Sequence, residues 1–372
     1  MDMELREFGA KVDALIKGEH IGRELTREMF REVLLNRQPD LQQGAFLAAI
    51  TSISPSPEEI AGAWEAIYEI DTVKVRPEVD GPLVENCGTG MDRIKTFNVS
   101  TLASVVAAAG GAIMAKHGAR AITSKCGIVD IAETLGVDVE CDASVVKRSI
   151  EVAGIGLFNG MSAKVHPQAL YRILSQVRFG TILNVAGSLA NPASPEIGVR
   201  GVYSADMVGP LALTMREMGY RKGIVAHGLD PSGTRGMDEL STLGRSIIAE
   251  FHEDGEISSY EISPKDMGLP VGAERDILSS LDREWEAARF VKVLMGEEKG
   301  ARRDMVALNA APILYLNGSA SSLGEGVAVA LDILDGGRGM QKLKEWVRCQ
   351  NSGDTGAKME RLERMAEAPC PV

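Results

Sequence analysis

Cysteine is scarce in this sequence and nothing pairs it. Cys87, Cys126, Cys141, Cys349 and Cys370 are odd in number, widely spaced and form no C-x-x-C pair. That excludes a disulfide framework and a structural zinc site, and points to a reducing cytoplasm. Basic charge is in deficit as well: 40 Lys and Arg stand against 52 Asp and Glu, for a net charge of −12. Such a balance argues against nucleic acid as the principal partner, because that affinity rests on neutralising phosphates. A small anion is still permitted, since a local pocket needs only a few cations. Long apolar runs are missing too. The most apolar stretch, residues 102–115, is interrupted by Ser104, Gly110 and Gly111 and stops at Lys116. It falls short of the roughly 20 apolar residues that span a bilayer, so no membrane segment is expected. The opening MDMELREFGA lacks the positive start and apolar core of an export signal.

What is present is ordinary globular material: 372 residues, 45% hydrophobic and 25% charged. That length suits one large α/β domain with a smaller companion and a cleft between them. The first 75 or so residues read as helices only. Met3, Leu5, Phe8, Val12, Leu15 and Ile16 recur at helical spacing, and further helical segments cover 26–36 and 41–50. A fourth opens at Ser56-Pro57-Glu58-Glu59, where a capping serine, a proline at the first helical position and a reciprocating glutamate form a start signal. After Pro82 short apolar runs alternate with glycine-punctuated helices, the texture of a mostly parallel sheet flanked by helices. Strands are expected at 83–87, 112–115, 156–158, 181–184, 223–226 and 246–251. Helices are expected at 100–109, 128–135, 142–153, 166–177, 205–218, 276–295 and 304–315, followed by a polar tail.

Gly88-Thr89-Gly90-Met91-Asp92 directly follows an apolar strand, and Phe97-Asn98-Val99-Ser100-Thr101 opens a helix soon after. Glycines there let backbone amides approach an anion, and a helix start adds unpaired N–H groups, so together they suit a phosphate cradle. A bare glycine turn after a strand is the competing reading. Lys116-His117-Gly118 ends the next strand, with Arg120 and Lys125 close behind. Loops leaving adjacent parallel strands meet in one crevice, which would bring these cations to the same turn. Far down the chain, Asp238-Glu239 in a glycine-flanked loop offers hard oxygen ligands suited to magnesium, although acidic pairs are also common on solvated loops.

Taken together these motifs resemble the anthranilate phosphoribosyltransferase family. The resemblance runs from the helical start through GTG-x-D, FN-V-ST, KHG-x-R, His166-Pro167, the segment from Thr181 to Asn184, Gly187, Leu189, Asn191-Pro192-Ala193 and the Asp238-Glu239 loop to Leu308-Asn309-Ala310-Ala311. It implies a helical domain of residues 1–75, joined in space by helices from about 166–190, and an α/β catalytic domain over 76–372. It also implies a magnesium-dependent transfer of 5-phosphoribosyl from phosphoribosyl pyrophosphate (PRPP) to the amine of anthranilate or a related aromatic amine, in tryptophan biosynthesis, by a homodimer formed through the helical domain. Carried over by position, Gly88, Thr89, Gly90, Asp92, Asn98, Ser100, Thr101, Lys116 and Lys125 would hold PRPP, while Ser100, Asp238 and Glu239 would hold the metal. His117, Gly118, Ala119 and His166 would face the acceptor. Arg172 and Arg178 are both candidates for its carboxylate.

The sequence departs from the family at several points. Met91 replaces a glycine, Arg93-Ile94-Lys95 adds two cations beside the turn, Ala119 replaces an asparagine, Ile128 replaces a serine, and Gly180 stands where an arginine commonly precedes Thr181. Donor motifs survive better than acceptor motifs. Two alternatives follow: transfer to a different nitrogen base, or a non-catalytic nucleic-acid-binding relative using Arg93, Lys95, Arg120 and Lys125. The chain's acidity and the Asp238-Glu239 pair speak against the second.

Overall fold

The protein is described from a computed structural model, over residues 3–121, 126–177, 179–253, 255–280 and 282–368. Apolar residues three and four apart turn the N-terminal segment into helices Leu5–Ile16, Gly22–Leu34, Asp40–Ser52 and Pro57–Ile70. The start signal at Ser56 forms in full. The Glu59 N–H donates to Ser56 Oγ at 3.3 Å and the Ser56 N–H donates to Glu59 Oε2 at 2.8 Å. Phe8, Phe30 and Phe46 meet edge to face at the centre of this lobe. Helices Leu170–Gln176 and Ile182–Leu189 share the same apolar core, through Leu170, Ile173, Leu183 and Ala186.

The rest of the chain builds one eight-stranded sheet from β1 (Leu83–Gly88), β2 (Ile113–Gly118), β3 (Ile155–Asn159), β4 (Ile197–Gly201), β5 (Lys222–Leu229), β6 (Gly236–Met237), β7 (Ser246–Phe251) and β8 (Ile257–Ile262). The order is β3-β2-β1-β4-β5-β7-β8, with β6 pairing β5. The pairs from β3 to β5 are parallel, and β6, β7 and β8 are antiparallel additions. One face packs on helices Val99–Ala109 and Ala301–Leu316 through Val84, Val105, Ile224 and Leu308. Strand order reverses at β1, since β2 and β4 flank it and the chain leaves it in both directions. Ligand crevices form at such reversals, at the carboxyl ends of the strands.

Several expectations are corrected. Residues 181–184 are not a strand; Thr181 caps helix Ile182–Leu189, with Asn184 reciprocating in a capping box. Strands β4, β6 and β8 were not foreseen. The helix expected over 276–295 is a short turn at Glu274–Ile277 and a helix Arg283–Leu294. The supposed polar tail folds into helices Leu323–Asp335, Arg338–Cys349 and Gly356–Glu367. Among the described residues no helix is long and apolar enough to cross a membrane.

Candidate functional site

The turn after β1 and the acidic pair after β6 meet. The Gly90 N–H donates to Asp238 Oδ2 at 2.6 Å, and Gly90 takes a φ of +72, a left-handed conformation that glycine adopts freely. The approach is so close that a methyl group on Gly88 would stand 2.2 Å from Asp238 Oδ2, and one on Gly201 would stand 1.4 Å from the Asp238 carbonyl. Asp92, Asp238 and Glu239 then offer carboxylate oxygens that all lie within 4.8 Å of one another.

Burial drives the electrostatics of this trio. It pushes the Asp92 carboxyl up to about 7, aided by the charge of Asp238, and it raises Asp238 as well. Glu239 goes furthest, well above the usual carboxylate range, by burial and by the charges of Asp238 and Asp92. A cation placed among them would favour their ionised forms. Glu239 Oε1 accepts from Thr96 Oγ1 at 3.2 Å, while Glu239 Oε2 is buried with no partner. Hard oxygen donors at this spacing, one of them orphaned, fit magnesium.

Around the trio, Ser100 lines the same crevice as Asp238 and Glu239. Asn98 stands at the start of helix Val99–Ala109 and accepts from Thr101 Oγ1 at 2.5 Å. Thr89 donates its N–H to the Gly201 carbonyl at 3.2 Å, and its hydroxyl is buried and unpartnered. Lys116 needs a correction. It is fully buried, and its ammonium donates to the Asn86 carbonyl at 3.0 Å, to Asn86 Oδ1 at 2.9 Å and to the Ser100 carbonyl at 3.4 Å. It lines neither this crevice nor the cavity beside it. Its β2 position is interior, so it fixes the floor of the turn instead of facing a ligand. Burial lowers its pKa to about 8.

The second cavity, of about 140 Å³, runs from Gly88, Thr89 and Gly90 past His117, Gly118 and Ala119 to His166, Leu170, Leu174, Leu183 and Ser188. His117 and His166 face each other across 3.0 Å between their Nε2 atoms. His117 Nδ1 lies 3.3 Å from the Ser188 carbonyl and His166 Nδ1 lies 2.5 Å from the Asp71 carbonyl. Burial lowers both pKa values, that of His117 strongly. Ile128 packs over Gly118, where an added methyl would meet its Cδ1 at 1.9 Å.

The cations expected here are mostly committed elsewhere. Arg120 lines the cavity but is held by Glu133, Glu140 and Asp130. Arg172 turns into the helical lobe, bonding the Val33 carbonyl at 3.2 Å and Gln43 Oε1 at 3.0 Å, so it does not reach the cavity. Its place on helix Leu170–Gln176 puts it on the side away from Leu170 and Leu174, which do line the cavity. Arg178 and Lys125 lie outside the described residues. Sequence reasoning passed over Asn86, Gly201 and Arg200. The last is buried on β4 and paired with Glu85, which also accepts from Tyr220. A charged residue between two glycines gives no strand signal, and its partner is 115 positions away.

Comparisons with known proteins place the whole chain among relatives. Residues 80–340 match the model of the glycosyl transferase family, a/b domain, and residues 12–69 match that of the glycosyl transferase family, helical bundle domain. The chain is 36% identical over 317 residues to the anthranilate phosphoribosyltransferase of Methanococcoides burtonii, covering 84% of this chain and 86% of the relative. It is 35% identical to that of Methanopyrus kandleri, over 90% and 98% of the two chains. The crystal structure of anthranilate phosphoribosyltransferase from Thermus thermophilus superposes with a TM-score of 0.78 at 34% identity, covering 91% of this chain and 98% of that one. The Saccharomyces cerevisiae enzyme in complex with PRPP and Mg has the same fold, with a TM-score of 0.78 at 21% identity over 94% and 99%.

Proposed function

The chain belongs to the anthranilate phosphoribosyltransferase family, and we propose that it transfers the 5-phosphoribosyl group of PRPP to the amine of anthranilate, releasing pyrophosphate. The contact between the Gly90 N–H and Asp238 Oδ2, at 2.6 Å, carries this reading. It brings the glycine turn after β1 against the carboxylates of Asp238 and Glu239.

In this reading Asp238 and Glu239, with Ser100 beside them, hold magnesium, which when bound supplies positive charge to the departing pyrophosphate. Gly88, Thr89 and Gly90 line the cavity beside Asp238, and the unpartnered Thr89 hydroxyl is a ready donor to a phosphate or ribose oxygen. Asn98, Thr101 and Asp92 border the same turn, while Lys116 holds its floor. The acceptor ring lies in the cavity walled by Leu170, Leu174 and Leu183, with Gly118, Ala119, His117 and His166 near its amine. The bond from C1′ to pyrophosphate breaks, a bond from the amine nitrogen to C1′ forms, and the nitrogen sheds one proton. No protein nucleophile is required. Positioning and charge neutralisation carry the rate.

The same reading makes residues 1–75 and the helices within 166–190 one helical domain, with 76–372 catalytic. It places the enzyme in the cytoplasm, in tryptophan biosynthesis, as a homodimer through the helical domain. The described cysteines support a reducing compartment: Cys87, Cys126, Cys141 and Cys349 are free, and burial raises the pKa of each thiol.

The test is pyrophosphate release from PRPP with Mg²⁺ and anthranilate. Turnover should occur, and Asp238→Asn should lower kcat/KM by about 100-fold or more. One observation favours a second acceptor, a nitrogen base without a carboxylate: among the described residues Arg172 is turned away from the cavity. A panel of aromatic amines and nitrogen bases decides between the two. Absence of turnover with millimolar anthranilate would eliminate the first.

A further inference from the structure

Lys95 stands beside the acidic trio. Its ammonium donates to Asp92 Oδ1 at 2.8 Å and to the Gly90 carbonyl at 2.9 Å, so one side chain ties the Asp92 carboxylate to the turn that touches Asp238. The backbone that carries it is fixed on both sides. Arg93 and Ile94 donate their N–H groups to the Gly236 carbonyl at 3.2 Å, and the Ser279 N–H donates to the Lys95 carbonyl at 3.1 Å. Thr96 bridges Leu278. The lysine is therefore anchored to the strand that leads into Asp238 and Glu239, and its ammonium is placed by structure.

We propose that Lys95 is a built-in cation of the metal site, which claims Asp92 and leaves Asp238 and Glu239 as the carboxylates open to magnesium. Three carboxylate oxygens within 4.8 Å would otherwise form a three-acid site. When all three are ionised, the ammonium reduces the local charge from minus three to minus two, which one divalent ion balances. It also keeps the Gly88–Asp92 turn formed around Asp238 before any ligand arrives. This inference rests on the metal reading of the crevice proposed above.

The experiment is a titration of the full chain with Mn²⁺ alone, following free metal by electron paramagnetic resonance, without PRPP. Lys95→Met should bind Mn²⁺ at least about tenfold more tightly than the unaltered protein, or bind one more ion, because a unit charge a few ångströms from a divalent ion is removed and Asp92 is released. Lys95→Arg should match the unaltered protein. Adding Asp92→Asn to Lys95→Met should reverse the gain. Unchanged affinity and stoichiometry in a folded Lys95→Met, while Asp238→Ala weakens binding, would overturn the role of Lys95 and leave the metal site standing. Failure of the unaltered protein and of Lys95→Met alike to bind millimolar Mn²⁺ would overturn both. Circular-dichroism melts of each variant separate loss of folding from loss of binding.

Discussion

Asp92, Asp238 and Glu239 cannot all be ionised cheaply in a buried crevice, and that sets a pH dependence. Each carboxyl is raised, chiefly by burial, and Asp92 lies at about 7. A raised carboxyl keeps its proton to higher pH, and magnesium or manganese binds only the ionised form. Metal affinity should therefore fall as pH drops from 8 to 6, each ion bound displacing protons. Isothermal titrations at pH 6, 7 and 8 check this; a flat profile would mean the trio is already ionised. At this scale the site was half legible. Gly88, Gly90, Asp92, Asp238 and Glu239 stood out because glycine turns and adjacent acids are visible in a string of letters. Gly201 did not, because its role is to leave room for the Asp238 carbonyl, and clearance has no signature in one dimension. Lys116 was misread for a related reason: nothing in Lys-His-Gly tells whether the side chain points up into a crevice or down onto carbonyls.

Helices and strands were read best where a period or a cap was unambiguous. The Ser56 to Glu59 capping box and β7 appeared where expected. Thr181 to Asn184 misled because Thr and Ile favour strands, whereas the reciprocal bonds of Thr181 and Asn184 decide for a helix. Strand β4 was hidden by Gly198, Arg200 and Gly201, and the C-terminal helices by their charge: Arg338–Cys349 buries only a narrow stripe of Met340, Leu343, Trp346 and Val347. One helix contact gives a sharp prediction. A methyl on Gly62 would stand 2.2 Å from the Arg23 carbonyl, so helices Gly22–Leu34 and Pro57–Ile70 touch backbone to side-chain position. Gly62→Ala should destabilise the protein by about 1–3 kcal/mol despite its better helix propensity, read as a lowered midpoint in thermal or urea unfolding.

Exposed large apolar side chains occur on both lobes, Val152 and Val271 among those of the α/β domain, and several stand on the helical lobe. Leu41 is 89% exposed and Ile16 67%, with Leu5 and Tyr171 also more than half exposed. Those on the helical lobe would suit burial against a second copy. Sedimentation should give about twice the 39.8 kDa of one chain, and Ile16→Asp with Leu41→Asp should shift the protein to monomer without loss of helical circular dichroism. The two-lobe plan was legible because its halves differ in period, helical before residue 75 and mixed after Pro82. How the lobes join was not, since Asp71, His117, His166 and Ser188 are scattered through the chain.

That join has an arithmetic of its own. From the Asp71 carbonyl through His166 and His117 to the Ser188 carbonyl there are three contacts, and two uncharged imidazoles bring only two hydrogens to share among them. One link in the row is always two lone pairs facing each other. With both rings uncharged, the row therefore fastens the helices to the sheet through at most two hydrogen bonds, although it spans three contacts.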